Sequence, residues 1–353
     1  MSALAYLVRR LVTGAGLLVL LALVSFALVS FALFYAVPTE PAAFLLDMRH
    51  ASAAEIAEAR AALGVDQSVW TQFTAYVGRL ARGDLGYSWS AVDVAADGTL
   101  SGRPVGQTVI DAARVTGALA LGGLGFLALV AVPLGVAAAR RPDSIFDRLT
   151  AAFSTSAIAI HPLVLALVLQ LFVGTRWGIL PAEGYCSAFG EDILYSRTGA
   201  GLVETPCGGI VDWGRHLILP WITFGLFFTA LYLRMTRARM LDTLEEPYIR
   251  TARAKGASEG RVLRRHALRN GLPPLVTMAG LDIGLAVGMA VFVEAVFGLP
   301  GLGARTVQAL NVEGVAFDLP LILGVILAIG AAIVILNLVV DAIQVLLDPR
   351  LRA

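Results

Sequence analysis

Charge is scarce in this chain. Only 15% of its 353 residues are Asp, Glu, Lys or Arg, where soluble domains carry about a quarter. Among its 27 basic residues Lys255 is the single lysine; cysteine occurs twice and histidine four times. Each shortage excludes something. So little charge, with 58% apolar residues and a mean hydropathy of +0.77, excludes disorder, a coiled coil and an ordinary soluble enzyme, and leaves a polytopic membrane protein. A phosphate-cradling P-loop needs Gly-Lys-Ser/Thr, whereas Lys255 follows Ala254. If transport is energised by nucleotide, another subunit supplies it. The histidine nearest the cysteine pair is His216 and no third cysteine exists, so no metal site is expected.

What is present is apolar and long. Six stretches reach the ~20 residues a membrane helix requires: 11–37, 110–139, 149–174, 217–233, 275–297 and 319–347, the fourth being the shortest. They are continuous runs without the period-two alternation of a β-barrel. The first follows Arg9-Arg10 and exceeds the roughly 7–15 apolar residues of a signal peptide, so it reads as a retained span. The positive-inside rule then places both termini in the cytoplasm. Inner segments 1–10, 140–148, 234–274 and 348–353 hold 17 basic and 7 acidic residues, while outer loops 38–108 and 175–215 hold 8 and 13. The formal net charge of +1 thus conceals a strongly polarised molecule.

The first outer loop predicts structure of its own. Residues 52–63 read as an amphipathic helix with Ser52 as cap and Glu55 at the capping-box position. Residues 69–80 are a second helix candidate, and Gly83-Asp84-Leu85-Gly86 is a turn by composition. A helical lid over a pore mouth is one reading of this loop. The second outer loop carries Cys186 and Cys207 on the oxidising side. A disulfide and two free thiols are both open.

The inner loop 234–274 is the most informative segment. Glu245-Glu246-Pro247 suits a helix start, and Tyr248, Ala252 and Lys255 share one face by spacing. Gly256 breaks that helix. A second basic helix is expected over 258–270, with Val262 and Leu263 inward and Pro273-Pro274 ending it. Such a segment either anchors on anionic lipid or docks a cytosolic partner; tethered to membrane at both ends, it is no nucleic-acid binder. Gly256-Ala257-Ser258-Glu259-Gly260 mimics a serine-hydrolase elbow but lacks the strand-to-helix setting.

Ionisable groups inside spans are functional candidates. Asp282 could line a water-filled path or pair with another helix, beside Gly280, Gly284 and Gly288, whose four-residue spacing makes a smooth face for close approach. Glu294 reads equally as a polar mouth or a structural hydrogen bond. Asn337 and Asp341 suit packing, and His161-Pro162 marks a kink with the histidine satisfied by backbone. An ion-coupled transporter using Asp282 or Glu294 is the competing class; it requires internal repeats, and none is clear.

Tyr248-Ile249-Arg250-Thr251-Ala252-Arg253-Ala254-Lys255-Gly256, then His266, Arg269, Asn270 and Pro274, resembles the inner-loop signature of ABC importer permeases of the dipeptide/oligopeptide/nickel subgroup. Supporting segments run along nearly the whole chain: Leu63-Gly64-Val65-Asp66, Gly83-Asp84-Leu85-Gly86 with Ser88, Leu219-Pro220, Glu294-Ala295-Val296-Phe297-Gly298-Leu299-Pro300-Gly301-Leu302-Gly303, and Asn337 and Asp341 leading to Leu347-Asp348-Pro349-Arg350. The resemblance, to the first of that subgroup's two permeases, implies an all-α, type I importer fold. Residues 1–37 would be a cytoplasmic tip and first helix, 38–108 an extracytoplasmic loop with short helices, and 109–353 a five-helix core. It implies a multi-pass inner-membrane subunit that is not itself an enzyme and binds no cofactor, ATP and Mg residing on partners. Those partners would be a second homologous permease, two ATPase subunits and an extracytoplasmic substrate-binding protein. Residues 248–256 would form the coupling helix, supported by His266, Arg269, Asn270 and Pro274. Peptide is the cargo implied; nickel chelates and glycans occur in the same family. The chain departs from the family at Pro38-Thr39-Glu40-Pro41, at His161, and in outer segments 89–102 and 175–215, which are extended.

Overall fold

The computed structural model describes residues 12–14, 16–21, 24–25, 41–46, 50–94, 100–189, 191–198, 201–310 and 317–347. Arg9-Arg10, most of the first apolar stretch, Pro38-Thr39-Glu40 and Asp348-Pro349-Arg350 lie outside them. In chain order the elements are α1 (Ala53–Leu63), α2 (Val69–Leu80), β1 (Tyr87–Val94), β2 (Leu100–Pro104), α3 (Val105–Arg140), α4 (Ile145–Ala159), α5 (Pro162–Leu169), β3 (Glu191–Thr198), β4 (Gly201–Gly208), α6 (Gly209–Leu244), α7 (Pro247–Ala254), α8 (Glu259–Phe297), α9 (Leu302–Leu310) and α10 (Leu319–Leu347). The molecule is mostly helical, but not wholly so: β1 with β2, and β3 with β4, are antiparallel hairpins. They fall in segments 38–108 and 175–215, where the sequence pattern predicts no strands.

Among the described residues, α3, α6, α8 and α10 are each long and apolar enough to cross a membrane. The fourth stretch, shortest in sequence, is the core of a 36-residue helix. The third is not one straight rod. It breaks at Ile160-His161, and α4 meets the segment Pro162–Arg176 at 98°. Proline at the first position of α5 has no N–H to continue α4, and His161 Nδ1 accepts from Leu163 N at 3.2 Å as the new cap. The expected kink is therefore a full corner, and the histidine is satisfied by backbone.

The chain divides into two compact units. The first joins Tyr6–Val115 with Pro300–Ile335. Here Ser52 caps α1: its hydroxyl accepts from Glu55 N at 3.3 Å, and the Glu55 carboxylate accepts from Ser52 N at 2.7 Å. That backbone donor holds the Glu55 carboxyl below its ordinary value. α1 is less amphipathic than its sequence suggests, since Ala59 alone is buried. α2 contributes buried Tyr76 to a cluster with Val65, Trp89, Leu319 and Leu323. A second cluster packs Val105, Val109 and Ala112 of α3 against Leu302 and Ala309 of α9 and Leu321, Ile322 and Val325 of α10. Asp318, fully buried, ties these parts together. It accepts from the hydroxyls of Ser88 and Ser90, from Ser90 N at 3.0 Å, and from Leu321 N at 3.1 Å at the start of α10.

The second unit is built on Thr116–Leu299 and the final part of α10. α3 and α6 lie close because Gly122 and Gly123 leave room for Trp221 and Phe224; Trp221 Nε1 donates to Ala118 O at 3.0 Å. α4 joins α6 through a bidentate ion pair, in which Arg237 Nε and Nη2 donate to the two oxygens of Asp147. Cys186 and Cys207 form a disulfide with Cα atoms 5.8 Å apart, closing the loop that contains the β3–β4 hairpin. Gly184 N donates to Phe297 O at 2.9 Å, laying the irregular chain before Cys186 over the end of α8.

Candidate functional site

The segment 234–274 folds into a compact corner where α6 meets α8. α6 ends at Leu244 with Glu245 as its C-cap, Glu246 takes the N-cap position of the next helix, and Pro247 opens α7 where its missing N–H costs nothing. α7 is short and two-faced. Ile249 is fully buried with Ala139 of α3, Met240 of α6, and Val262, Leu263 and Ala267 of α8. Arg250, Thr251, Arg253, Ala254 and Lys255 are exposed and Ala252 is half-buried. The inward placement of Val262 and Leu263 matches expectation. Gly256 ends the helix with φ +80°, a left-handed conformation that side chains with a Cβ resist. The chain turns there without a strand, so the hydrolase-like motif has no elbow.

Two polar links brace the corner. Asn270 Nδ2 donates to the Tyr248 hydroxyl at 2.8 Å, and that hydroxyl reaches the His266 carbonyl at 3.5 Å. Arg253 Nη2 and Nε donate to Glu259 at 2.8 and 3.2 Å across Gly256. A cleft of about 410 Å³ remains beside α7, lined by Tyr248, Thr251, Ala252, Lys255, Ala257, Arg261 and His266. The expected shared face of Tyr248, Ala252 and Lys255 is this wall. Arg269 is exposed; Pro274 lines a separate cleft with Met235, Arg239 and Thr277.

One expectation fails here. Pro273-Pro274 does not end the helix; α8 continues through both to Phe297. A π-helical turn over Val262–Ala267 widens the helix just before them, and Thr277 Oγ1 donates to the Pro273 carbonyl at 3.1 Å. Proline bends or breaks a helix through lost donors and crowding; neighbouring helices and hydroxyls can offset that loss in membrane helices.

Within the spans, Asp282 is paired: Tyr232 of α6 donates to it at 2.8 Å. Glu294 is fully buried and accepts from Thr116 of α3 at 2.6 Å. Gly280 does allow close approach, with Val340 and Asn337 of α10 against it, but Gly284 and Gly288 have nothing within 4 Å. Asp341 is buried on α10. Sequence reasoning missed the Asp147–Arg237 pair and the Asp318 junction. In the sequence Ser88 stands out only as part of a motif, and nothing local connects it with a residue 230 positions away.

Residues 131–353 match the family described as "Binding-protein-dependent transport system inner membrane component", and residues 3–120 match its N-terminal partner family. The chain is 32% identical to the dipeptide transport system permease protein DppB of Escherichia coli, over 91% of this chain and 92% of that one. It is 33% identical to the dipeptide transport system permease protein of Alkalihalophilus pseudofirmus over 99% of both chains. It is 33% identical to the di/tripeptide transport system permease protein of Pseudomonas aeruginosa over 91% and 92%. Four long apolar helices, a braced corner and a match across almost the full length agree, and the chain belongs to the family of binding-protein-dependent inner-membrane permeases.

Proposed function

We propose that this chain is one of two permease subunits of an ATP-driven peptide importer, and that α7 is its coupling helix. The observation that carries the reading is the corner itself. Ile249 anchors α7 in the core while Arg250, Thr251, Arg253 and Lys255 face outward. Gly256 and the Asn270–Tyr248 bond join it stiffly to α8. A short helix fixed in this way can hand a rigid-body movement of a docked ATPase to α8, the logic of alternating access. With the corner cytoplasmic, both termini lie inside and the two hairpins outside. ATP and Mg sit on two partner ATPases, a second homologous permease completes the pathway, and an extracytoplasmic protein delivers peptide.

In this reading Asp282 and Glu294 position helices rather than carry a coupling ion, because each already accepts from a neighbouring helix. The test is reconstitution with the copurifying subunits in proteoliposomes. ATP-dependent uptake of di- and oligopeptides, stimulated by the binding protein, is expected. Uptake by this chain alone without ATP would overturn the importer reading; ATP-driven uptake of nickel chelates or glycans but not peptides would overturn only the cargo.

A further inference from the structure

Where α9 packs on the start of α3, Leu302 and Ala309 meet Val105, Val109 and Ala112. This seats Arg305 within electrostatic reach of Arg103 and Asp111. Asp111 is already taken twice. It accepts from Arg103 Nη2 at 3.0 Å and from Arg114 Nη1 at 3.3 Å. Arg305 Nη1 donates to Gln308 Oε1 at 2.7 Å, while its Nε is buried with no hydrogen-bond partner. Among the described residues no other carboxylate pairs with these arginines. Three guanidinium groups thus cluster near one carboxylate, which pairs with two of them, while Arg305 bonds to the neutral Gln308. Burial and the like charge of Arg103 hold the Arg305 guanidinium below its ordinary range, the signature of a cation short of a counter-ion.

The setting is open and of opposite sign to its surroundings. The side chains of Arg103 and Asp111 are each 51% exposed and that of Arg114 75%. In loops 38–108 and 175–215 acids outnumber bases by 13 to 8, so a positive patch here stands out. Guanidinium forks match carboxylates in a bidentate manner. The exposure suits a group presented on a protein surface better than a small molecule enclosed in a pocket.

We infer that Arg305, Arg114 and Arg103 form a docking surface for an acidic side chain of the extracytoplasmic binding protein. This rests on the importer reading and adds to it a place of contact and the chemistry of the partner. The experiment uses the whole complex in nanodiscs and the binding protein that copurifies with it, identified by mass spectrometry and then produced separately. ATP hydrolysis is followed against binding-protein concentration at low and high salt. Arg305→Gln is expected to raise the half-saturating concentration about tenfold at low salt, the size of one charge-assisted bond. Arg114→Gln should raise it in the same direction, and both should flatten the salt dependence. Asp111→Asn, which frees two guanidiniums, should lower it; Arg305→Lys should retain most of the affinity. Melting midpoints and complex assembly report folding, and Arg114→Gln tests the idea even if the half-buried Arg305 does not tolerate change. Unchanged half-saturation and salt slope in both arginine variants would overturn the inference. So would a rise in the peptide KM alone, which would make the cargo's carboxylate the occupant. Absence of stimulation of the parent complex by any binding protein would instead overturn the importer reading beneath it.

Discussion

Asn270 donates to the Tyr248 hydroxyl at 2.8 Å across a corner whose apex, Gly256, has φ +80°. The bond links the first turn of α7 to α8 from outside the turn, while Ile249 links them from the core. A corner braced on both sides moves as one piece, and stiffness here is what the proposed transmission needs.

Loosening the corner should therefore separate two activities. Tyr248→Phe removes the Asn270 bond, a loss of about 1 kcal/mol, and should lower uptake several-fold per ATP hydrolysed. Gly256→Pro forbids the positive φ, because proline holds φ near −65°. Arg253→Glu sets two carboxylates face to face across the turn. Both should leave insertion intact and uncouple hydrolysis from uptake. The ratio of peptide accumulated to phosphate released in proteoliposomes checks this, and normal ratios in both variants would remove α7 from the coupling role.

A second expectation concerns assembly. Asp147 is nearly buried and is held by two donors from Arg237, whose guanidinium is partly covered. Arg237→Met strands that carboxylate, which for a buried pair costs about 3–5 kcal/mol. The detergent-solubilised protein should melt several degrees lower. Arg237→Lys should recover only part of the loss, since one ammonium cannot supply the fork. An unchanged melting midpoint for Arg237→Met would show that the pair carries no stability.

The disulfide-closed loop gives a third. The Cys186–Cys207 bridge spans a sequence separation of 21, a closure worth roughly 3 kcal/mol by chain entropy. A Cys186→Ala, Cys207→Ala variant should melt lower than the oxidised parent. Reductant should bring the parent to the variant's midpoint and leave the variant unmoved. A reductant effect of equal size on both would assign the shift to something other than this bond.

Much of this was legible because it is local. The Ser52–Glu55 capping box, the glycine corner, Pro247 at a helix start and the break at His161-Pro162 are each encoded within a few residues. Where local rules met a neighbour, they failed. Pro273-Pro274 promised an end, yet the helix runs through both behind a π turn over Val262–Ala267. Gly284 and Gly288 promised close packing, but α10 covers only Gly280. The Asp318 junction depends on partners far along the chain, and no spacing rule reports those; the hairpins pair neighbouring segments, Thr198 with Gly201 and Val94 with Leu100, and were legible in principle. The long helices were readable because a continuous apolar run needs no partner to be recognised. The size of the bend between α4 and α5 was not, since proline marks the place of a break and not its angle.

The continuity of α8 through its two prolines has a mechanical meaning. It comprises 39 residues from Glu259 to Phe297, and at 1.5 Å per residue that is a rod of about 58 Å. Turned by about 5° around its corner end, such a rod sweeps its far tip through about 5 Å. A helix stopped at Pro273 would dissipate the same rotation in a loose joint. With α7 as the proposed coupling helix, this helix would supply leverage rather than require any large displacement at the nucleotide side, and Glu294 lies near the end where the throw would be greatest.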